Sequence, residues 1–150
     1  MHSQPYRHGT FKDSVRCAWK GLRWAVGTQR TLRFQLAAGA LALGLGFVAQ
    51  LDPVRMAILC LVIALVLVME MVNTALEALV DQLYPQFNAA AGRVKDVAAG
   101  AALVAALGAV AVGIWLFWGS WEGTWFQRAA AGGTLASLAA LLYLGFPKRK

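Results

Sequence analysis

The chain has 150 residues, of which 59% are hydrophobic and 14% are charged, and its formal net charge is +7. Soluble domains carry about 25% charged residues, so this composition excludes an ordinary soluble globular domain and predicts an integral membrane protein. We expect its partners to be lipids and small molecules, and we expect no nucleic-acid partner.

The N-terminal region predicts a helix within residues 10–30 that lies on the membrane surface. Thr10 and Asp13 resemble a capping box at its start. Its apolar residues recur at helical spacing, namely Phe11, Val15, Trp19, Leu22 and Val26. Its other side is cationic, with Lys12, Arg16, Lys20 and Arg23. This pattern is typical of an interfacial amphipathic helix. The helix either anchors the chain to anionic lipid or forms one wall of a lipid-facing site.

Four apolar segments follow, at residues 34–51, 56–80, 97–118 and 129–146. Each is long enough to cross a hydrocarbon core of about 30 Å as a helix. We therefore predict one all-α membrane domain over residues 1–150, made of the interfacial helix and four transmembrane helices. Small residues recur every four positions in the third segment, which predicts close helix packing there. They are Ala101, Ala105, Ala109 and Gly113.

Basic residues indicate the orientation of the chain in the membrane. Seven of them precede residue 34, two more lie between the second and third segments, and the chain ends Lys148-Arg149-Lys150. Because cytoplasmic segments carry the excess of Lys and Arg, both termini are expected in the cytoplasm. An even number of spans agrees with that arrangement.

Polar side chains interrupt the second apolar segment near its cytoplasmic end. Glu70, Asn73 and Glu77 share one helical face. Ionisable groups inside a membrane are costly and therefore indicate function. Counting from the outer edge of the segment places Glu70 roughly 8 Å inside the hydrocarbon and Glu77 just outside it. Glu70 is thus predicted to act as a general base, and Glu77 to bind a divalent cation such as Mg²⁺.

The third apolar segment begins with charged residues at the same cytoplasmic level. Arg93 and Lys95 are natural phosphate partners, and Asp96 follows them. A lipid hydroxyl, a base, a metal and a phosphate-binding cation together describe phosphoryl transfer to a membrane alcohol. Other readings remain open, because Glu70 could pair with a basic residue of another helix and Asn73 could only link helices. No Walker loop is present in the sequence.

Two stretches of the sequence resemble a known family. Residues 70–81, Glu-Met-Val-Asn-Thr-Ala-Leu-Glu-Ala-Leu-Val-Asp, and residues 92–100, Gly-Arg-Val-Lys-Asp-Val-Ala-Ala-Gly, are similar to the signature of the prokaryotic diacylglycerol kinase and undecaprenol kinase family. Residues 18–23 fit the N-terminal helix of that family. The resemblance covers residues 11–118, so the fourth span is an extension of a three-helix core.

The resemblance implies a homotrimer in the bacterial cytoplasmic membrane, with shared active sites that use ATP and Mg²⁺ at the cytoplasmic face. It implies that Glu70 accepts the proton of the lipid hydroxyl and that Asn73 belongs to the same site. The implied ATP-binding residues are Lys95, Asp96, Glu77 and Gln29. The implied lipid-binding residues are Trp19, Arg23, Glu70 and Ala99. The implied metal ligands are Glu77 and Gln29.

Gln29 departs from the family pattern, which has a glutamate as a metal ligand at this position. A neutral amide is a poorer ligand for Mg²⁺ than a carboxylate. Three outcomes are open: a weaker metal site, compensation by a nearby acid such as Asp13 or Asp81, or a degraded enzyme. The leading hypothesis is an ATP-dependent kinase of diacylglycerol or undecaprenol. The alternatives are a four-span proton-coupled transporter and a catalytically degraded family member.

Overall fold

The structure, a computed structural model, describes residues 10–118 as four α-helices. In chain order they are α1 Phe11–Thr28, α2 Arg30–Val48, α3 Pro53–Leu83 and α4 Ala89–Trp118. No strand occurs within the described residues, which confirms the all-α prediction. The predicted fourth span at 129–146 lies outside them.

Helix α1 has the character expected of a helix on a membrane surface. The Asp13 carboxylate accepts hydrogen bonds from both the backbone N–H and the hydroxyl of Thr10, so the pair predicted at the helix start is in contact. The side chains of Phe11 and Trp19 are exposed, and Ala25 is the buried residue of this helix. The apolar face of α1 is therefore left uncovered by the described part of the chain.

The boundary between α1 and α2 differs from the prediction. The predicted surface helix runs to residue 30, whereas α1 ends at Thr28 and α2 begins at Arg30. Gln29 separates them with an extended backbone at φ −95° and ψ 115°. Helix α2 therefore starts four residues before the predicted apolar segment. That segment excluded the first turn of the helix because the turn carries the basic residues Arg30 and Arg33.

The helix ends are set by capping residues and not by the limits of the apolar segments. The Asp52 side chain accepts from the backbone N–H groups of Val54 and Arg55 at the start of α3, with Pro53 in the first turn. The Asn88 side chain caps α4 in the same way. Both helices are consequently longer than the predicted spans 56–80 and 97–118.

Helix α3 is the centre of the fold, since it contacts each of the other three helices. Gly39 of α2 lies so close to α3 that an added Cβ would stand 2.8 Å from Cγ2 of Ile63. On α4 the buried small residues are Ala91, Ala98 and Ala102, whereas Ala101 is exposed. The predicted packing series at Ala101, Ala105, Ala109 and Gly113 is therefore not the buried series of this single chain, because a strict four-residue repeat drifts around a helix of 3.6 residues per turn.

Three of the described helices are long and apolar enough to cross a membrane, and they are α2, α3 and α4. Most of their large apolar side chains point outward, as expected where lipid is the surrounding medium. The polar side chains of α3 form the exception, because Glu70, Asn73 and Thr74 are buried.

Candidate functional site

The first half of the site is a hydrogen bond between α2 and α3. The Gln35 Nε2 amide donates to Glu70 Oε2 at 3.1 Å. Glu70 is 7% exposed, so its carboxylate is shielded by the surrounding helices. Gln35 is not among the site residues predicted from the sequence. The available signal was an amide near the start of an apolar segment in which the next polar residue is Gln50.

The second half of the site lies one turn further along α3. The Asn73 Nδ2 amide donates to Glu77 Oε1 at 3.0 Å, and Asn73 is 8% exposed. The three α3 residues singled out by their spacing thus share one face, with Glu70 and Asn73 buried and Glu77 half-buried. This face is directed at the other helices and not at lipid.

The two amide–carboxylate pairs leave the cluster rich in hydrogen-bond acceptors. Gln35 Oε1 and Asn73 Oδ1 are buried and have no hydrogen-bond partner among residues 10–118. A buried acceptor without a partner costs about 1–3 kcal/mol. A hydroxyl proton or a cation is the kind of group that would satisfy these oxygens.

Lys95 of α4 forms an ion pair with Asp81 of α3, at the end of the helix that carries the site. The Lys95 ammonium donates to Asp81 Oδ1 at 2.8 Å. Lys95 precedes the uncharged stretch that begins at Val97, so it lies outside the membrane-spanning part of α4. The hydrogen bond that Lys95 donates to Asp81 is the main cause of a raised pKa of Lys95. Desolvation lowers this pKa, and the charges of Asp81 and Glu77 raise it further.

Other predicted site residues are not in contact with this cluster. Trp19, Arg23, Asp96 and Ala99 are exposed. Gln29 is half-buried at the junction of α1 and α2, where its side chain makes no capping hydrogen bond. Within the described range, no group of three or more His, Cys, Asp or Glu side chains converges.

The two acids that could replace the missing glutamate, Asp13 and Asp81, already have partners in this structure. Asp13 accepts from Thr10 and lies 3.8 Å from Arg16, and Asp81 is bonded to Lys95. Beside Glu77 lies the amide of Asn73, which presents its Nδ2 donor to Glu77 Oε1.

An apolar groove of about 350 Å³ runs between α2, α3 and α4. Gln35 lines it, together with Phe34 and Gly39 from α2, Val66 from α3 and Val110 from α4. Since Gln35 also touches Glu70, one end of this apolar space adjoins the buried carboxylate. The arrangement combines a surface suited to hydrocarbon with a hydrogen-bond acceptor at its end.

Comparison with known proteins identifies the family. The model of the prokaryotic diacylglycerol kinase family matches residues 16–117, which is more than half of the chain. The chain belongs to the prokaryotic diacylglycerol kinase family. This confirms the resemblance seen in residues 70–81 and 92–100. The family match ends before the segment at 129–146.

Several curated relatives within this diacylglycerol kinase family are similar over the same region. A diacylglycerol kinase of Synechocystis is 40% identical over 101 residues, which is 67% of this chain and 58% of the relative. A diacylglycerol kinase of Escherichia coli is 32% identical over 101 residues, which is 67% of this chain and 83% of the relative. An undecaprenol kinase of Bacillus subtilis is 33% identical over 119 residues, which is 78% of this chain and 97% of the relative.

Proposed function

We propose that the chain is a lipid kinase that transfers the γ-phosphoryl group of ATP to the hydroxyl of a membrane lipid alcohol. The observation that carries this proposal is the buried Glu70 carboxylate, held between α2 and α3 beside the apolar groove. Membership of the family and the names of the relatives support the same class of reaction. The charge pattern of the sequence supports catalysis at the cytoplasmic face of a bacterial inner membrane, with both termini in the cytoplasm.

In the proposed reaction Glu70 acts as the general base. The oxygen of the lipid hydroxyl forms a bond to the γ-phosphorus while its proton passes to the Glu70 carboxylate. The bond between that phosphorus and the β–γ bridging oxygen breaks, and ADP leaves with the electron pair. A base within a membrane helix suits this step because the acceptor alcohol is itself anchored in the bilayer.

The residues near Glu77 fit a Mg²⁺ ion. Glu77 offers a carboxylate, and the Asn73 Oδ1 atom is buried without a partner in the described part of the chain. Mg²⁺ prefers oxygen ligands and is often bound by only one or two carboxylates together with phosphates and water. We propose that Glu77, Asn73 and, more weakly, Gln29 would hold the ion. When bound, it would neutralise charge on the phosphates of ATP.

Lys95 and Asp96 are the proposed ATP-binding residues on α4. The Lys95 ammonium is paired with Asp81, and it would reach a phosphate from this position. The proposed lipid contacts are Trp19, Arg23 and Ala99, on the exposed surfaces of α1 and α4. We further propose a homotrimer, as the family resemblance implies.

Two lipid alcohols remain as substrates. The relatives carry the names diacylglycerol kinase and undecaprenol kinase, and their identities to this chain are similar. Both molecules present one hydroxyl on a long apolar body, which agrees with a carboxylate at the end of an apolar groove. We therefore propose both as substrates to be compared directly.

The experiment is phosphoryl transfer from radiolabelled ATP to each lipid, using the purified full-length chain in vesicles. Glu70→Gln should reduce transfer by about 10²–10⁴-fold, since that is the usual contribution of a general base, while ATP binding persists. Asp52→Asn is the matched control. It also changes an acid to its amide on α3, but asparagine remains a good N-cap at the opposite end of the helix.

Each result of this experiment has a clear meaning. Full turnover by Glu70→Gln would show that Glu70 is not the general base. Absence of transfer by the unaltered chain to either lipid would indicate a degraded family member. Cation movement across the vesicle membrane without ATP consumption would favour a transporter instead.

A further inference from the structure

Gln35 is placed where the apolar groove meets the buried carboxylate. Its side chain lines the groove, and its Nε2 group donates to Glu70 Oε2 at 3.1 Å across the α2–α3 interface. The two residues are 35 positions apart in sequence, so this contact exists only because the helices pack together.

The hydrogen bond fixes how the Gln35 amide is oriented. If the amide were reversed, its oxygen would face a carboxylate oxygen, and two acceptors would oppose each other. An ionised Glu70 therefore requires Nε2 on its side. With Oε2 engaged in this way, the other oxygen of Glu70, Oε1, is the one left to receive a proton.

In this orientation the Gln35 amide is not the side chain that would best stabilise the fold. Its Oε1 atom is buried without a hydrogen-bond partner in the described residues, which is unfavourable for folding. The groove around it is apolar, so a leucine would remove this unpartnered oxygen but also the donor to Glu70. The contribution of the amide is instead the restraint that it places on Glu70.

We propose that Gln35 is a positioning residue that fixes the rotation of the Glu70 carboxylate, so that Oε1 faces the lipid hydroxyl. This inference rests on the proposed lipid kinase function and extends it to a residue on α2. A carboxylate that can rotate freely spends less time in the reactive geometry, and small misplacements of catalytic groups lower rates by up to about 10²-fold.

The test is a kinetic comparison of Gln35→Leu with the unaltered chain in the same vesicles. The leucine keeps the approximate size of the side chain and removes the amide donor. We expect kcat for lipid phosphorylation to fall about 10–100-fold, while KM for ATP changes less than about twofold. If Gln35 had only a structural role, its substitution would lower the amount of folded protein. It would not lower kcat of the folded enzyme while leaving KM for ATP nearly unchanged.

Two further variants separate hydrogen bonding from polarity and from general damage to α2. Gln35→Glu keeps size and polarity and donates to Glu70 only while the new carboxyl is protonated, so its kcat relative to that of Gln35→Leu should be highest at the low end of the pH range. Leu36→Ala, at the adjacent exposed position of α2, should keep the unaltered kcat.

A double-mutant cycle with Glu70→Gln completes the test. If Gln35 acts through Glu70, Gln35→Leu should cause no further loss of the residual activity in the Glu70→Gln background. An equal loss in both backgrounds, or a kcat of Gln35→Leu within twofold of the unaltered chain, would overturn the inference alone. An unaltered chain that phosphorylates neither lipid would overturn the proposed function and this inference with it.

Discussion

At the scale of single residues, the site consists of acids held by amides. Gln35 donates to Glu70, and Asn73 donates to Glu77, so each of these two carboxylates has a neutral partner. A lysine or arginine in either place would pair directly with the acid and compete with a substrate proton or a metal ion. Neutral donors stabilise a carboxylate while leaving its charge available for chemistry.

Gln29 provides the first prediction at this scale. Gln29→Glu should lower the Mg²⁺ concentration needed for half-maximal phosphoryl transfer, because a carboxylate is a stronger ligand than an amide. Gln29 is both the C-cap of α1 and the N-cap of α2, so the two helix dipoles have opposite effects on a negative charge added there. The measurement is a Mg²⁺ titration of activity at saturating ATP.

Thr31→Glu is the matched control for that titration. It adds the same charge at the same helix end, at an exposed residue two positions away. A lowered Mg²⁺ requirement in both variants would reflect general electrostatic attraction. An unchanged requirement in Gln29→Glu would mean that this position is not a metal ligand.

At the scale of helices, close packing of α2 on α3 places Gln35 within reach of Glu70. Gly39 lies one turn beyond Gln35 on α2 and is buried against Ile63. Without a hydrophobic driving force between helices in lipid, such close contact depends on small residues at the interface. The geometry of the catalytic face therefore depends on a glycine that has no chemistry of its own.

Gly39→Ala is the prediction that tests this contact. The added Cβ would stand 2.8 Å from Cγ2 of Ile63, a branched side chain that cannot easily move. We expect a loss of about 1–2 kcal/mol in the free energy of unfolding, because overpacking outweighs the better helix propensity of alanine. The measurement is unfolding of the purified protein in detergent micelles.

Two companion variants make the result specific. Gly108→Ala should be neutral or stabilising, because nothing lies within 4 Å of its added Cβ. Ile63→Ala should reduce the effect of Gly39→Ala when the two are combined, since it removes the clashing methyl group. Equal effects at Gly39 and Gly108 would contradict the proposed contact.

At the scale of the whole molecule, the family core and the described helices coincide. The family match covers residues 16–117, and α4 ends at Trp118. The proposed catalytic residues all lie inside this range. The segment at 129–146 is predicted from its composition as an additional span, and no proposed step requires it.

Truncation after Trp118 is the corresponding prediction. The shortened chain should retain phosphoryl transfer within a few-fold of the full chain, and native mass spectrometry should still detect three copies in one particle. Loss of transfer with the trimer preserved would indicate that the C-terminal segment contributes to the site. Loss of the trimer would assign that segment to assembly.

The sequence alone determined the fold class, because composition and apolar segment length decide how a chain meets a bilayer. It also determined the face shared by Glu70, Asn73 and Glu77, since helical periodicity is a local property. The family followed from the same residues. Helix ends were less predictable, because Asp52 and Asn88 extend α3 and α4 beyond their apolar segments.

Only the tertiary structure decided which residues from different helices meet. It paired Gln35 with Glu70 and Lys95 with Asp81, and it buried Ala102 while leaving Ala101 exposed. Such contacts depend on the rotation and separation of packed helices, which are set by interlocking side chains such as Gly39 and Ile63. Periodicity within one helix carries no information about the residue that faces it from another.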